Sequence, residues 1–340
     1  MNLASLATLA VERAPIPDAL ARLGVGYVVE RACRRLDADL CQDELFANEM
    51  AQRPIAIATD IANRQHYELP AELFGLILGP RRKYSSCLFA GRASSLAEAE
   101  EHALTESCDH ARLADGQEVL ELGCGWGALS LWAAERYPRS RITAVSNSVS
   151  QRVFIESQAQ SRGLGNLRVV TADMNDFATD QVFDRIISVE MFEHMSNWRA
   201  LLARIRGWLA PEGRLFLHVF THRHRPYRFE AEDDWIARHF FTGGVMPSHG
   251  LIRQFGELVE VEADWRWSGA HYRRTALAWL ANFDRHDDQV SAILQRVYGT
   301  DWRIWRRRWR LFFLATAGLF GARSGDVWGV SHYRLRAAGS

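Results

Sequence analysis

The chain has 340 residues, and 41 Lys and Arg side chains balance 41 Asp and Glu side chains, so its formal net charge is zero. This balance argues against a general electrostatic surface for nucleic acid. Hydrophobic residues make up 48% of the chain, which is ordinary for a globular protein with a sizeable core. Five cysteines without a CxxC pair predict neither disulfides nor a metal site, and they favour a reducing cytoplasm.

The N-terminal 80 residues are predicted to be helical. Apolar residues recur at helical spacing over 11–39, with breaks at Pro15 and Pro17. The N-terminus lacks a basic start before its apolar run, so it does not match a secretory signal. The late apolar stretch 311–322 is too short to span a bilayer. Further helices are predicted at 42–53, from Pro54 onward, and between Pro70 and Pro80.

From residue 117 the pattern alternates between strands and helices, which predicts a parallel sheet. Residues 221–275, rich in His, Arg, Trp and Phe, are expected to form an insertion over the carboxyl edge of this sheet, where ligands bind. Helices are expected again over 271–320. Strands are predicted at 118–122, 141–145, 167–171, 184–189, 214–220 and near 258–267, helices at 95–113, 127–136, 148–162 and 197–209, and a tight reversal at 210–213.

The first predicted strand runs into a turn that holds Gly123, Gly125 and Gly127, and an apolar helix follows. Such a turn brings bare backbone N–H groups and a helix N-terminus against a ligand. A dinucleotide site also fits this spacing, but it needs an acid about 20 residues on, where the chain has Ser-Asn-Ser at 146–148. Glu121 lies before the turn instead. Glu-x-Gly-x-Gly-x-Gly resembles the first motif of class I S-adenosylmethionine methyltransferases. The alternative is an ordinary strand-to-helix turn whose glycines serve only close packing.

Glu190-Met-Phe-Glu-His194 follows the fourth predicted strand, at the sheet edge where doubly wound folds place their chemistry. Glu190 and His194 share a face if this segment is helical. A carboxylate and an imidazole can both move a substrate proton near neutral pH. The alternatives are that Glu190 and Glu193 only favour a helix N-terminus and that His194 is a core histidine. Their combination at this position predicts a catalytic site.

Several further segments allow two interpretations. Asp173, after the third strand, is expected either to contact the cofactor or to serve as a turn acid. The segment 240–248, with two aromatic residues and a double glycine, suits a pocket wall or lid, and equally a packed aromatic core. His271 and Tyr272 form a candidate polar pair at the pocket. The helix around 302–309 combines aromatic residues with arginines, which is typical of core packing with one solvated face.

Taken together, these segments resemble the cyclopropane fatty acid synthase superfamily of methyltransferases from about residue 65 to residue 335. Within the superfamily, 188–194, 232–235 and 240–244 look most like the coclaurine-type amine N-methyltransferases. The segments that carry the wider resemblance are QHYELP (65–70), LGPRRKYSS (78–86), VLELGCGWG (119–127), MFEH (191–194), FFTGGVMPS (240–248) and HYRRTALAWLANF (271–283).

The chain departs from the superfamily pattern at three positions. Cyclopropane synthases usually have glycine at the position of Glu190. They have a cysteine at the position of Ser86, which helps to hold a bicarbonate that removes a proton from a carbocation; here Cys87 comes one step later. Leu88 replaces an aromatic residue often found before Phe89. The first two departures favour a cationic amine substrate over a lipid chain, and the third implies an amine other than a benzylisoquinoline.

The resemblance implies a class I Rossmann-like α/β fold and a set of site residues. Glu190, Glu193 and His194 would be catalytic. The cofactor, S-adenosylmethionine, would be bound by Tyr84, Ser85, Glu121, Gly123, Gly125, Gly127, Ser146, Asn147, Gln151, Asp173, Met174 and Asn175, with the glycines at the methionine part, 146–151 at the ribose and 173–175 at the adenine. The substrate pocket would include Tyr84, Phe220, Phe240, Phe241, His271, Tyr272 and Trp328.

The resulting hypothesis is a cytoplasmic S-adenosylmethionine-dependent N-methyltransferase. A small arylalkyl or tetrahydroisoquinoline-like amine would displace the methyl group directly, with help from the Glu and His side chains. Methyl or methylene transfer to unsaturated phospholipid chains is the alternative, and a binding scaffold without chemistry or a nucleic-acid methyltransferase is disfavoured. No nucleic acid or integral membrane segment is implied, and a homodimer is allowed. The expected organisation is a helical segment (1–83), a cofactor-binding core (84–220) and a substrate cap with remaining core elements (221–340).

Overall fold

A computed structural model describes residues 12, 14, 16–38, 42–57, 69–91, 95–230 and 235–339. Within the described part of the first 80 residues, helices form at Asp18–Ala38, Asp43–Met50 and Ala71–Ile77, in agreement with the helical prediction. Residues 54–57 form no helix, contrary to the prediction of a helix from Pro54, because Ala56 bridges to Met195 in extended conformation; 58–68 lie outside the described residues. The helices are α1 (Asp18–Ala38), α2 (Asp43–Met50), α3 (Ala71–Ile77) and α4 (Leu96–Ala111).

A seven-stranded sheet forms the centre of the protein, with strand order β3-β2-β1-β4-β5-β9-β8. β1 to β5 are parallel, and β9 runs antiparallel between β5 and β8. This is the predicted doubly wound class. The strands are β1 (Glu118–Leu122), β2 (Arg141–Ser146), β3 (Leu167–Thr171), β4 (Phe183–Val189), β5 (Leu209–His222), β8 (Val259–Ser268) and β9 (Trp328–Ala337), and the helices between them include α5 (Ala128–Arg136), α6 (Val149–Ser161) and α7 (Trp198–Trp208).

The tight reversal predicted at 210–213 is a bulge inside β5. Phe183 of β4 pairs with Leu209, and Arg185 pairs with Arg214, so the intervening residues of β5 have no partner in register. A Cβ atom at Gly213 would lie 2.8 Å from the carbonyl oxygens of Ala210 and Phe183, which explains the glycine there. The compact turn was therefore correctly located, but it lies within the strand and not before it.

Residues of the insertion after β5 pack with the C-terminal helices in one large hydrophobic cluster. Trp309 and Phe313 of the last long helix are fully buried, and they belong to one hydrophobic cluster with residues of α1 and α3. Arg310 joins Asp18 of α1 to Asp284 through ion pairs of 2.9 and 2.7 Å. The elements are β6 (Tyr227–Arg228), α8 (Trp235–His239), β7 (Val245–Met246), α9 (Gly269–Arg285), α10 (Asp287–Tyr298) and α11 (Trp302–Phe320).

Two further expectations concern membranes and cysteines. Across the described ranges, no helix is both long and apolar enough to cross a bilayer. The cysteines that the structure describes are buried and have free thiols; they are Cys33, Cys87, Cys108 and Cys124.

Candidate active site

A cavity opens at the carboxyl ends of β1, β2 and β4, and the segment before α4 closes it from one side. This is the edge of the sheet at which the sequence predicts the site. Of the predicted site residues, those that line the cavity are Tyr84, Ser85, Glu121, Gly123, Gly125, Ser146, Asn147, Gln151, Met174, Glu190 and His194.

The glycine-rich turn owes its shape to backbone conformations that side chains disfavour. Gly123, Gly125 and Gly127 have φ angles of 79°, 52° and 77°, in the left-handed region. A Cβ atom at Gly123 would lie 2.5 Å from the Met191 side chain, whereas one at Gly125 would meet nothing within 4 Å. The open space at Gly125 exposes bare backbone to the cavity, directly before the N-terminus of α5. This geometry suits a ligand that carries a carboxylate.

Glu121 lies at the end of β1, where it lines the cavity although little of it is exposed. Its carboxylate accepts a hydrogen bond from the Ser130 hydroxyl of α5. Burial raises the pKa of Glu121 to about 7, against the effect of this hydrogen bond and of Lys83. The side chain is therefore fixed by the helix behind it and faces the same space as the glycine turn.

The first turn of α6, next to the end of β2, contributes an unsatisfied donor to the cavity. The Ser146 hydroxyl donates to Gln151 Oε1 over 2.6 Å and so fixes the amide orientation. Gln151 Nε2 is buried and has no hydrogen-bond partner among the residues that the structure describes. Buried donors are normally paired, so this amide marks a place where a ligand oxygen belongs. The amide, the exposed glycine backbone and Asn147 together fit S-adenosylmethionine.

The segment after β3 behaves differently from the expectation for the adenine site. Asp173 Oδ1 accepts the backbone N–H of Asn175 over 2.7 Å, which is the turn-acid interpretation. The Asn175 side chain bonds to both the N–H and the carbonyl of Ala56, each over 3.1 Å. In this segment Ala172 and Met174 line the cavity, and Asp173 and Asn175 do not. The role of Asp173 at the adenine thus stays a prediction, and Asn175 fastens the N-terminal segment to the sheet.

Glu190 is held by contacts from several separate segments. Its φ angle is +47°, an uncommon value for a residue with a side chain, and its N–H donates to the carbonyl of His218 over 2.7 Å. The carboxylate accepts the N–H of Ser86 over 2.8 Å and the hydroxyl of Tyr272 over 2.7 Å. His218 Nε2 lies 3.2 Å from the same carboxylate. Glu190 itself is not helical, since only Phe192–His194 forms a short 3-10 turn, so the condition for a shared helical face with His194 is not met.

The two carboxyl groups of this motif are in different environments. Burial raises the pKa of Glu190, while Lys83, the Ser86 N–H and the Tyr272 hydroxyl oppose this by stabilising the charged form. Burial and the nearby Glu190 raise the pKa of Glu193 well above its ordinary value. Glu193 Oε1 accepts the N–H of Phe220 over 2.9 Å. The arrangement thus favours a charged Glu190 beside a protonated Glu193.

His194 lines the cavity next to Glu190, and its ring lies 4.6 Å from the ring of Phe241. Burial lowers the pKa of His194 to about 4, and Glu190 opposes the shift. The imidazole is therefore neutral at pH 7 and has a lone pair that can accept a proton.

Of the residues predicted for the pocket wall, Tyr84 lines the cavity, and Phe220, Phe240, Phe241, His271, Tyr272 and Trp328 do not. Phe240 and Trp328 are fully buried in the aromatic core, where Phe240 packs on Phe312 with ring centroids 4.6 Å apart. Phe220 and Phe241 are only partly buried, with centroids 5.6 Å apart. Since Phe241 also contacts His194, this pair borders the catalytic segment. Tyr272 belongs to the site as the partner of Glu190. His271 does not line the cavity.

Sequence reasoning missed two contributors to the site. His218 lies inside β5, and only its position on the strand next to the one that ends at Glu190 could have suggested it. The Ser86 N–H is a backbone group, for which the sequence gives no signal. Lys83, the chain's only lysine, was known only as part of a motif. It is buried and donates to the Ser85 hydroxyl and the Ser86 carbonyl, each over 2.6 Å, so it shapes the segment that reaches Glu190.

Comparison with known proteins supports these features. Residues 56–330 match the family described as Mycolic acid cyclopropane synthetase. The chain is 34% identical to an (S)-coclaurine N-methyltransferase from Thalictrum flavum subsp. glaucum, over 92% of this chain and 89% of that protein. It is 31% identical to a cyclopropane-fatty-acyl-phospholipid synthase from Escherichia coli (strain K12), over 79% of this chain and 67% of that protein.

A crystal structure of coclaurine N-methyltransferase bound to N-methylheliamine and SAH superimposes with a TM-score of 0.91 at 32% identity, and the match covers 98% of this chain and 99% of that one. These relatives confirm the methyltransferase class, the S-adenosylmethionine cofactor and N-methyl transfer as the predicted reaction, with the lipid-modifying synthase a more distant relative. The chain belongs to the mycolic acid cyclopropane synthetase family.

Proposed function

We propose that this methyltransferase acts on the nitrogen of a small arylalkyl or tetrahydroisoquinoline-like amine. The observation that carries the proposal is the Glu190 carboxylate, which lines the same cavity as the glycine-rich turn and is fixed by Ser86 and Tyr272. A fixed carboxylate in a largely buried site attracts an ammonium group. It also gives that ammonium a place to leave a proton.

The central task of the protein is to present the amine in its neutral form. A free amine is mostly protonated at pH 7, and a protonated nitrogen has no lone pair for the methyl group. Glu190 would hold the ammonium, and Glu190 or the neutral His194 would take its proton. General-base assistance of this kind contributes about 10²- to 10⁴-fold in rate. Glu193, with its raised pKa, would keep a second negative charge out of the site.

The cofactor would be held on the other side of the cavity. When bound, S-adenosylmethionine supplies an electrophilic methyl group on a positively charged sulfur. The backbone at Gly123 and Gly125 would hold its amino-acid part, and Gln151 its ribose. Tyr84, which packs against Phe74 and Trp279 at centroid distances of 5.1 and 5.5 Å, would close the cavity from the N-terminal side. Alignment of both reactants lowers the barrier by up to roughly 7–11 kcal/mol in favourable cases.

The aromatic side chains near His194 suit the rest of the amine. Phe220 and Phe241 border the catalytic segment and present partly exposed rings. A cation over the face of such a ring gains about 0.5–2 kcal/mol. This would favour an amine whose nitrogen lies on a side chain of an apolar ring system or forms part of such a ring system.

Finer properties of the protein belong to the same proposal. We place the reaction in the cytoplasm, with a small amine as the substrate and without nucleic acid; a homodimer is compatible with this proposal. Residues 1–83 would close the site, 84–220 would bind the cofactor and 221–340 would shape the substrate pocket. The first part of this division is supported by Ala56, Ile57, Arg82 and Lys83, which line the cavity.

The test is transfer of a labelled methyl group from S-adenosylmethionine to a panel of arylalkyl and tetrahydroisoquinoline amines, with vesicles of unsaturated phospholipid in parallel. We expect label on an amine, and little in the Glu190→Ala and His194→Ala variants. Equilibrium binding of the cofactor to both variants should match the wild type. Label in the lipid, with none on any amine, would overturn the proposal in favour of the lipid alternative.

A further inference from the structure

Three histidines form a continuous hydrogen-bonded chain that starts at Glu190. His218 on β5 has Nε2 3.2 Å from Glu190 Oε1, and its Nδ1 lies 2.8 Å from Nε2 of His332 on β9. His332 Nδ1 lies 2.8 Å from Nδ1 of His110 on α4. In His218 and in His332, one ring nitrogen therefore contacts the preceding group of the chain and the other contacts the following group. The three rings come from elements far apart in sequence, so no local turn explains their contact.

The chain leads from a buried carboxylate to the protein surface. The Glu190 side chain is 7% exposed and the His218 side chain is not exposed at all. At the far end, the side chain of His110 is 15% exposed, and its Nε2 lies 3.9 Å from the carboxylate of Glu106, which is 38% exposed. The chain thus connects the methyl-acceptor side of the cavity with solvent beside α4.

Aromatic side chains exclude water along this path. The Trp265 ring stacks on His110 with centroids 3.7 Å apart, and the Trp267 ring lies 4.3 Å from His332. The Trp267 indole donates to Glu106 over 2.7 Å, which fixes the carboxylate at the end of the chain. A proton that moves between Glu190 and Glu106 therefore has the imidazole nitrogens as its carriers.

The electrostatic surroundings keep these rings neutral. Burial lowers the pKa of His218 and His332 well below the ordinary value, and Lys83 and the neighbouring imidazoles add to this effect. Burial also lowers the pKa of His110; Arg334 adds to this, and Glu106 and Asp109 oppose it. A neutral imidazole has one N–H and one bare nitrogen, so it can accept a proton on one side and release another on the opposite side.

We propose that these histidines carry the proton of the substrate ammonium from Glu190 to solvent beside Glu106. This rests on the proposed amine N-methylation. The ammonium N–H bond breaks and Glu190 takes the proton. His218 Nε2 accepts it, while His218 Nδ1–H passes to His332 Nε2 and His332 Nδ1–H passes to His110 Nδ1. The His110 Nε2 proton then leaves to Glu106 or water.

This path answers a need that the reaction itself creates. Methylation of an ammonium releases one proton per turnover, while Glu190 is too buried to pass it directly to bulk water. No electrons are exchanged, and the product amine leaves with the charge that it gained from the methyl group. Each passage leaves the rings in their opposite tautomers. Their return to the starting tautomers therefore sets an upper limit on turnover.

The kinetic test uses His110→Ala, which opens a space on Trp265 that free imidazole can fill, and His110→Phe, which fills this space without a nitrogen. With an amine that the wild type methylates, we expect kcat to fall about 10- to 100-fold in both variants. This is no more than the smallest effect usual for loss of a proton-transfer group, which is about 100-fold. Imidazole should restore His110→Ala and leave His110→Phe slow, with KM for the amine and cofactor affinity unchanged. His249→Ala, next to β9 but outside the chain, should resemble the wild type.

A second measurement does not depend on the substrate. In protein labelled with ¹⁵N-histidine, N–H···N scalar couplings across the hydrogen bonds should connect His110 with His332 and His332 with His218. Missing couplings in correctly folded protein would overturn the relay whether or not an amine is methylated. Wild-type kcat in His110→Ala, or equal imidazole effects on both variants, would overturn it while amine methylation stands. Intact couplings in a protein that methylates no amine would remove the proposed function, and the relay with it.

Discussion

The two sides of the cavity are assembled in contrasting ways. The cofactor side comes from one stretch of chain, in which the glycine-rich turn and the Ser146–Gln151 pair follow β1 and β2 directly. The acceptor side brings distant segments together: Glu190 takes hydrogen bonds from Ser86, 104 positions before it, and from Tyr272, 82 positions after it. One side therefore depends on local backbone shape, and the other on tertiary packing around ionisable groups.

This difference has an energetic consequence. The glycine-rich turn needs only unusual φ angles, which glycine adopts at little cost. The acceptor side keeps Glu190, Glu193 and His194 away from water, and each unpaired charge there would cost several kcal/mol. The protein reduces this cost by directing the Ser86 N–H and the Tyr272 hydroxyl at Glu190 and by neutralising the other two groups. Substitutions on the acceptor side should consequently change chemistry, and substitutions on the cofactor side should change affinity.

The largest expected effect follows from Glu190→Gln, which keeps the size of the side chain and removes its charge. We expect kcat to fall about 10²- to 10⁴-fold, the usual range for loss of a proton-transfer group, with cofactor affinity unchanged. Single-turnover methyl transfer and calorimetric titration with the cofactor measure the two quantities. Glu156→Gln, an exposed carboxylate of α6, is the matched control. A weaker cofactor complex with an unchanged rate would reverse the assignment of the two sides.

A smaller effect is expected from Gly123→Ala on the cofactor side. The φ angle of 79° and the contact with Met191 both oppose a Cβ atom, and strain of this kind costs about 1–3 kcal/mol. We expect this strain to be larger in the cofactor complex than in the free protein. Kd for the cofactor should therefore rise about tenfold, while single-turnover rates at saturation stay near wild type.

Gly163→Ala separates backbone strain from the site itself. Gly163 also has a positive φ, 68°, but a Cβ atom there would meet nothing within 4 Å. This variant should lose stability in urea without a change in Kd. An equal rise in Kd for both variants would mean that the turn acts through overall stability alone.

The same contrast explains what the sequence could predict. β1 and its turn were found because apolar residues, an acid and three glycines follow each other within nine positions. Glu190 was found because it follows a strand at the correct edge. β9 was not predicted. Its first eight positions are all buried, but Gly329, Ser331 and His332 interrupt the apolar residues in its first half.

Contacts between distant segments gave no signal in the sequence. Nothing in it links Ser86 to Glu190, or separates the core residue Phe240 from its partly exposed neighbour Phe241. A one-residue difference in orientation decides whether an aromatic side chain packs in the core or borders the site. Such differences are set by packing of the whole insertion against α11, which a local pattern does not encode.

The smallest predicted effect concerns stability and pH. The pKa of His194 is about 4 in the folded protein, against an ordinary value of 6.5, because burial disfavours the charged imidazole. Between these two values the unfolded chain binds the additional proton, so this contribution to stability is complete above pH 6.5 and is lost as the pH falls toward 4. From pH 7 to pH 5, His194 alone should lower the free energy of unfolding by about 1–2 kcal/mol.

Urea unfolding of the wild type and of His194→Phe, each at pH 7 and pH 5, isolates this contribution. Phenylalanine keeps a ring beside Phe241 but has no proton to gain, so the variant should lose less stability on acidification than the wild type. The raised pKa values of Glu190 and Glu193 act in the opposite direction and are present in both proteins. Because they cancel in the difference, an equal loss in both would show that His194 is not kept neutral by burial.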